Sequence, residues 1–337
     1  MTRQARSVVG YGVDEGIPIY RTPDLALPVA HLLAHGFLSM RVLEKLKLDV
    51  IHVCQPGTFL LGDAHAPVVA TFHTTIDQEK GAFSRRSLYG LYVNFMWPLI
   101  ELIEEDTAKK SGKIIAVSRE TAKTLIDKHP ECSGRIEVIY NAVPREWFQI
   151  GRRERGNVLL FVGRLSEVKG VEYLVEAMVT VKRDFPDVRL LLVGDGELKG
   201  RLQRKVRNLG LRESVTFEGD LDESMLLTLY SMATAFVLPS LYENCPFSIL
   251  QAFASGVPVV ATRIGGVSEL IDDAESGLLT PPRDTARLAS AISRMLADTQ
   301  LRRKISDKAK EFAYKNLQLK TAIDRLERIY SDLANRS

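Results

Sequence analysis

The stretch Tyr242 to Gly266, YENCPFSILQAFASGVPVVATRIGG, reads as a loop, a short helix and a strand in immediate succession. Pro246 stands where a helix opens and Gly256 where it closes. Proline lacks an N–H that the first turn leaves unpaired anyway, and glycine accepts the backbone of a helix end. Working outward, short apolar runs alternate with amphipathic segments throughout the second half: NVLLFVGR (157–164), RLLLVGDG (189–196), VTFEGD (215–220), AFVLPS (235–240), VPVVATR (257–263) and GLLTPP (277–282). Unbroken apolar strands separated by helices suit a parallel sheet covered on both faces, which predicts a doubly wound, Rossmann-like α/β domain. In GVEYLVEAMVTVKRDFP, Val171, Leu174, Val175 and Met178 share one helical face, and Pro186 ends it as a crossover helix should end.

The first half repeats the rhythm less completely. Strands are predicted at IPIYRTP, VIHVCQPG, VVATFHT, KIIAVSR and RIEVIYNAV, with helices near residues 28–47, 84–109 and 119–128. The whole is therefore expected to be α/β with two Rossmann-like domains, residues 1–150 and 151–316, joined at the polar, glycine-bearing hinge PREWFQIGRRERG. In the last segment, 317–337, Leu319, Ile323, Leu326 and Ile329 form an apolar stripe with no following strand, predicted to cross back and cover the first domain.

Composition narrows the function. The chain has 337 residues, 45% hydrophobic and 26% charged, enough for two full cores. Forty-five Lys and Arg against 42 Asp and Glu leave a formal charge of +3, with no electrostatic footprint of a nucleic-acid binder. Cys54, Cys132 and Cys245 are far apart and form no CxxC pair, which argues against a disulfide framework or a zinc site and fits a reducing cytoplasm. No apolar run reaches the ~18 residues of a spanning helix, so contact with a membrane is expected to be peripheral at most. YGLYVNFMWPLI contains Asn94 and Pro98 and runs into ELIEEDTAKK, the pattern of a buried helix. The overlapping FSRRSLYGLYVNFMW mixes cations and aromatics, which also suits a lipid head group.

The chemistry gathers at strand ends. At the helix opening Pro246 to Ser248, the free N–H groups of Phe247 and Ser248 behind Pro246 and the positive end of that helix form an anion site, which in an open α/β sheet faces the crevice at the strand C-termini. Glu243 lies on one side of such an anion, and Gln251, five residues into the helix, stands ~7 Å along it at about 1.5 Å per residue. That displacement suits two hydroxyl-rich groups flanking one diphosphate. In FVGRLSEVKG, Gly163 and Arg164 follow a buried strand and Lys169 closes the loop before the next helix. An arginine fork and a mobile lysine charge at that edge can neutralise a diphosphate as it leaves.

FVGRLSEVKG, LLLVGDGEL, FEGDL, VLPSLYENCPFSILQAFASGVPVVATRIGGVSELI and GLLTPP, in that order, resemble the second half of a family 4 glycosyltransferase with the GT-B fold. ATFHTT, IIAVSRETAKTLI and VIYNAVP extend the resemblance over most of the chain. It implies a retaining, metal-independent transferase that moves a hexose from a nucleoside-diphosphate sugar to a hydroxyl acceptor, a glycan, lipid or small molecule, with no cofactor and no metal ligand. It implies that Arg164 and Lys169 bind the donor diphosphate and Glu243 the hexose. By the same resemblance His73, closing VVATFHT, lies in the cleft near donor sugar and acceptor. Gln251 takes the ribose position of the Glu-x7-Glu motif, where the family has Glu. A carboxylate accepts from both ribose hydroxyls, whereas an amide accepts from one and donates to the other, a difference of about 1 to 2 kcal/mol.

The resemblance also implies that the chain starts late, because family members open with a strand, a Gly-rich loop and a helix before a region like VDEGIPIYRTPD, a piece of about 30 to 60 residues. Gln251 and that abbreviated start equally suit a non-catalytic GT-B protein that binds nucleotide or a protein partner. A nucleotide-sugar epimerase on the same fold would need acid and base residues that find no place here. Other motifs fail: GDGELKG has Lys199 where a dinucleotide fingerprint needs its third Gly, and His31 and His35 lack a third metal ligand. The basic runs RRERG and RLQRKVRNLGLR read as a solvated hinge and helix face.

Overall fold

The computed structural model describes residues 10–14, 17–21, 38–39, 41–54, 65–79, 88–153 and 156–335. The chain divides into two compact units, one made of Met1–Val117, Thr121–Val138 and Leu326–Ser337, the other of Ser118–Glu120 and Ile139–Arg325.

In the first unit, β1 (Gly10–Asp14) and β2 (Ile17–Arg21) form an antiparallel pair of their own. IPIYRTP therefore belongs to a hairpin rather than to the parallel sheet, because two intervening residues are too few for a crossover. The parallel sheet consists of β3 (Ile51–Cys54), β4 (Val68–Phe72), β5 (Lys113–Ala116) and β6 (Ile136–Val138), side by side in that order. Val69, Ala70, Phe72, Ile114 and Ala116 are fully buried in its centre. Its helices are α1 (Ile76–Glu79), α2 (Leu88–Lys110) and α3 (Arg119–Lys128). Of the helix expected near 28–47, residues 38–39 and 41–43 are helical, while 28–37, with His31 and His35, and residue 40 lie outside the described residues. Helix α2 buries Trp97, Ile103 and Ala108 but leaves Phe95 81% and Leu102 55% exposed, so it is a one-faced helix rather than a fully buried one. Among the described residues no helix is long and apolar enough to cross a membrane.

In the second unit each of the six apolar runs contains one strand: β7 (Val158–Val162), β8 (Arg189–Val193), β9 (Val215–Gly219), β10 (Ala235–Leu238), β11 (Val259–Thr262) and β12 (Leu278–Thr280). They pair in parallel in the order β12-β11-β10-β7-β8-β9, which along the unit's own strands is the doubly wound 3-2-1-4-5-6. The helices are α4 (Val171–Asp184), α5 (Lys199–Asn208), α6 (Glu223–Met232), α7 (Phe247–Ser255), α8 (Val267–Leu270), α9 (Thr285–Ala297) and α10 (Thr299–Asn316), while the last helix, α11 (Leu319–Ala334), begins in the second unit and belongs to the first from Leu326 onward. Asp222, Asp284 and Asp298 cap α6, α9 and α10, each accepting a backbone N–H at 2.9 Å.

The segment read as a solvated hinge is built into the second unit. Trp147, in a 3₁₀ turn from Arg145 to Gln149, has no exposed surface, and its Nε1 donates to Glu223 at 2.8 Å. Arg152 donates to the carbonyls of Tyr230 at 3.1 Å and Ala233 at 2.7 Å. One buried tryptophan, worth about 3 to 5 kcal/mol against alanine, outweighs the polar composition around it.

Candidate active site

Strands β7 and β10 lie side by side, with Leu159 opposite Ala235, and their crossovers leave in opposite directions. The crevice between their C-terminal ends is the switch point at which open α/β sheets take ligands. Gly163 and Arg164 follow β7, and Lys169 ends the 3₁₀ turn Glu167–Lys169 ahead of α4. Ser240 and Glu243 follow β10, and α7 opens behind Pro246.

Glycines make this close approach possible. Gly170 has a left-handed backbone (φ 62°), and a Cβ there would lie 2.1 Å from the carbonyl oxygen of Pro239, so no other residue lets the two loops touch. Leu241 N donates to the Val168 carbonyl at 2.7 Å across the same junction. The glycines of GDGELKG have a related role that their failed fingerprint hides. A Cβ on Gly194 would meet the Gly163 oxygen at 2.2 Å, and one on Gly196 the Leu165 oxygen at 2.5 Å, so the loop after β8 braces the loop that carries Arg164.

Glu243 is 8% exposed, and its Oε1 accepts from Lys169 Nζ and, at 2.8 Å, from Ser240 Oγ. The Ser240 carbonyl in turn accepts from Thr262 Oγ1. A carboxylate buried among two donors is held in one orientation. Arg164, by contrast, is exposed and engages no side chain among the described residues. Helix α7 starts with Pro246 at its N-cap and no side-chain cap, and ends at Gly256 in the left-handed conformation (φ 71°). Glu243 is therefore not the cap of this helix; the N–H groups of Ile249 and Leu250 donate to the Pro246 carbonyl, and those of Phe247, which is exposed, and Ser248, which is half-buried, remain open at this edge among the described residues.

Gln251 is half-buried, one turn into α7. The hydroxyl of Tyr230 in α6, fully buried, donates to the Ser248 carbonyl at 3.0 Å and to Gln251 Oε1 at 3.4 Å. Nothing in the sequence singles Tyr230 out, since MLLTLYSM looks like any core helix.

In the first unit, His73 follows β4, and partial desolvation lowers its pKa below the ordinary 6.5, which makes the imidazole neutral at pH 7. The turn after it is anchored from below. Fully buried Glu104 accepts the Ile76 N–H at 2.8 Å and Lys128 Nζ at 3.0 Å. His52, whose pKa is lowered by desolvation and then by the charge of His73, hydrogen-bonds through Nε2 to Thr71 Oγ1 at 2.7 Å and through Nδ1 to the Tyr330 hydroxyl. The structure thus brings Lys169, Glu243 and the start of α7 together with Arg164 on one sheet edge, and sets His73 at a strand end of the other unit.

Comparison with known proteins agrees with this architecture. The family described as Glycosyl transferases group 1 matches residues 143–312, and Glycosyltransferase Family 4 matches residues 4–147. An uncharacterized glycosyltransferase of Methanocaldococcus jannaschii is 29% identical over 91% of this chain and 83% of its own length. A glycogen synthase of Mycobacterium tuberculosis is 29% identical over 81% of this chain and 66% of its own. Among solved structures, a sucrose-phosphate synthase from Thermosynechococcus elongatus superposes with a TM-score of 0.76 at 23% identity, over 92% of this chain and 79% of that one. Anabaena HepE in complex with UDP gives 0.72 at 22% identity, over 90% and 84%. The chain belongs to the group 1 glycosyltransferases, with the GT-B fold and the sequence features of family 4.

Proposed function

We propose that this glycosyltransferase moves a hexose from a nucleoside-diphosphate sugar to a hydroxyl acceptor, with retention at the anomeric carbon and with no metal ion needed. The observation that carries the reading is the exposed Arg164 guanidinium at the switch point, without a side-chain partner among the described residues, beside the Lys169–Glu243 pair and the start of α7, which has no side-chain cap. Arg164, Lys169 and the first N–H groups of α7 receive the diphosphate, and their fixed positive charge stabilises it most as the sugar–phosphate bond breaks. Glu243, held by Ser240, accepts from the hexose hydroxyls and orients the ring rather than attacking it. Gln251 meets the ribose. The acceptor oxygen forms its bond to the anomeric carbon on the face the phosphate leaves, and the leaving phosphate oxygen takes the acceptor's proton. The products are the glycoside and a nucleoside diphosphate. The resemblance assigns His73 to the sugar and acceptor, which it meets as a neutral imidazole. UDP in the related HepE structure makes UDP-hexoses the first donors to try.

The experiment is donor turnover by purified protein in EDTA, with NMR of the product. Release of nucleoside diphosphate with an anomeric configuration equal to that of the donor supports the reading. Inversion, or an absolute need for a divalent cation, contradicts it, and binding without turnover of any donor, with or without acceptors, identifies a non-catalytic relative.

A further inference from the structure

Tyr230 lies in α6 with its ring edge-on to Trp147 (5.1 Å between centroids, 90°) and stacked on Phe236 (5.7 Å, 18°). With no exposed surface and aromatic neighbours on both sides, it has one position, and its hydroxyl ends against the first turn of α7. That hydroxyl has one proton. It is shared between the Ser248 carbonyl at 3.0 Å and Gln251 Oε1 at 3.4 Å. Burial raises the phenol's pKa well above its usual value, so the proton stays on the oxygen at any working pH. Gln251 thereby has its carbonyl oxygen turned inward, and its Nε2 has no protein partner among the described residues.

We propose that Tyr230 is a positioning residue that fixes Gln251 as a hydrogen-bond donor toward the bound nucleotide, so that a ribose hydroxyl is met by an amide N–H where a carboxylate would accept. The inference rests on the ribose lying at Gln251, as in the functional reading above. Its chemical consequence is specific. An N–H needs only a lone pair opposite it and tolerates fluorine in place of the hydroxyl, whereas a carboxylate needs the hydroxyl proton and is repelled by fluorine.

The test is calorimetry with UDP and its 2′-fluoro-2′-deoxy and 3′-fluoro-3′-deoxy analogues. The wild-type protein is expected to bind both fluoro analogues within about threefold of UDP, as one neutral hydrogen bond permits. Gln251→Glu is expected to bind UDP several-fold more tightly and to disfavour one fluoro analogue by about tenfold or more. Tyr230→Phe, which keeps the ring packing, is expected to weaken UDP binding about threefold to tenfold, and to change it less than about twofold in a Gln251→Ala background. A general loosening of α7 would instead give the same loss in both backgrounds, and that result, or equal fluoro discrimination by the wild type and Gln251→Glu, overturns the inference while the donor-site reading stands. Failure of UDP and every other nucleoside diphosphate to bind the wild type overturns both.

Discussion

At the scale of single residues, the pairing of Lys169 with Glu243 changes what each substitution should do. The proposed function gives these two groups different parts of the donor, yet they are paired with each other, so on that reading the carboxylate restrains the lysine proposed for the diphosphate. Glu243→Gln keeps the shape and removes that restraint. It is expected to raise affinity for the nucleoside diphosphate several-fold while lowering turnover of the sugar donor about 10²-fold, because an orienting acceptor on the hexose is lost. Calorimetry and initial rates on one preparation check both halves, and a parallel fall in affinity and turnover would show that Lys169 does not move between the two partners. The cysteines need no part in this chemistry: burial pushes the Cys245 thiol up to about 12, which keeps it protonated and inert beside Glu243 and Pro246.

At the scale of elements, the site depends on loops pressed together through glycine. The Gly265–Gly266 pair after β11 supports the loop that carries Glu243: Gly266 N donates to the Glu243 carbonyl at 3.1 Å, and a Cβ on Gly266 would lie 1.8 Å from the Asn244 oxygen. Gly266→Ala is therefore expected to displace Glu243 and cost about 10²-fold or more in turnover, while circular dichroism still shows a folded α/β protein. Wild-type activity in that variant would mean that the loop yields freely. The service of RIGG to Glu243 was not legible in the sequence, because a close approach between backbones leaves no periodicity. The strands of the second half were legible because buried parallel strands are uninterrupted apolar runs. Trp147 was not, since one buried ring inside a polar segment carries no pattern, and Tyr230 hid in a helix apolar nearly all round. Gln251 was legible as Gln at the second Glu position of a Glu-x7-Glu spacing that is kept, yet its orientation belongs to α6, a separate element that no local reading reaches.

At the scale of the molecule, the first unit has an acid-sensitive spot. His52 binds Thr71 through one nitrogen and Tyr330 of α11 through the other, and its pKa, like that of His73, is lowered from 6.5. The unfolded chain therefore takes up these protons first as pH falls, and stability is unaffected above 6.5 and declines from there down to the lower folded values. The melting temperature is expected to drop as the pH falls below about 6.5, with a shallower slope in His52→Gln. Identical slopes would place the sensitivity elsewhere. The central claim is that this glycosyltransferase binds its donor through the diphosphate at the switch point of the second unit, and Arg164 is where that claim is most exposed, being the cation there with no protein partner among the described residues. Titrating nucleoside-diphosphate hexoses into the wild-type protein and Arg164→Ala, in EDTA, tests it most directly. The expected result is saturable wild-type binding of at least one such donor, weakened about tenfold or more by the substitution, as loss of a charge-assisted bidentate contact requires. Equal affinity in the two proteins would contradict the account.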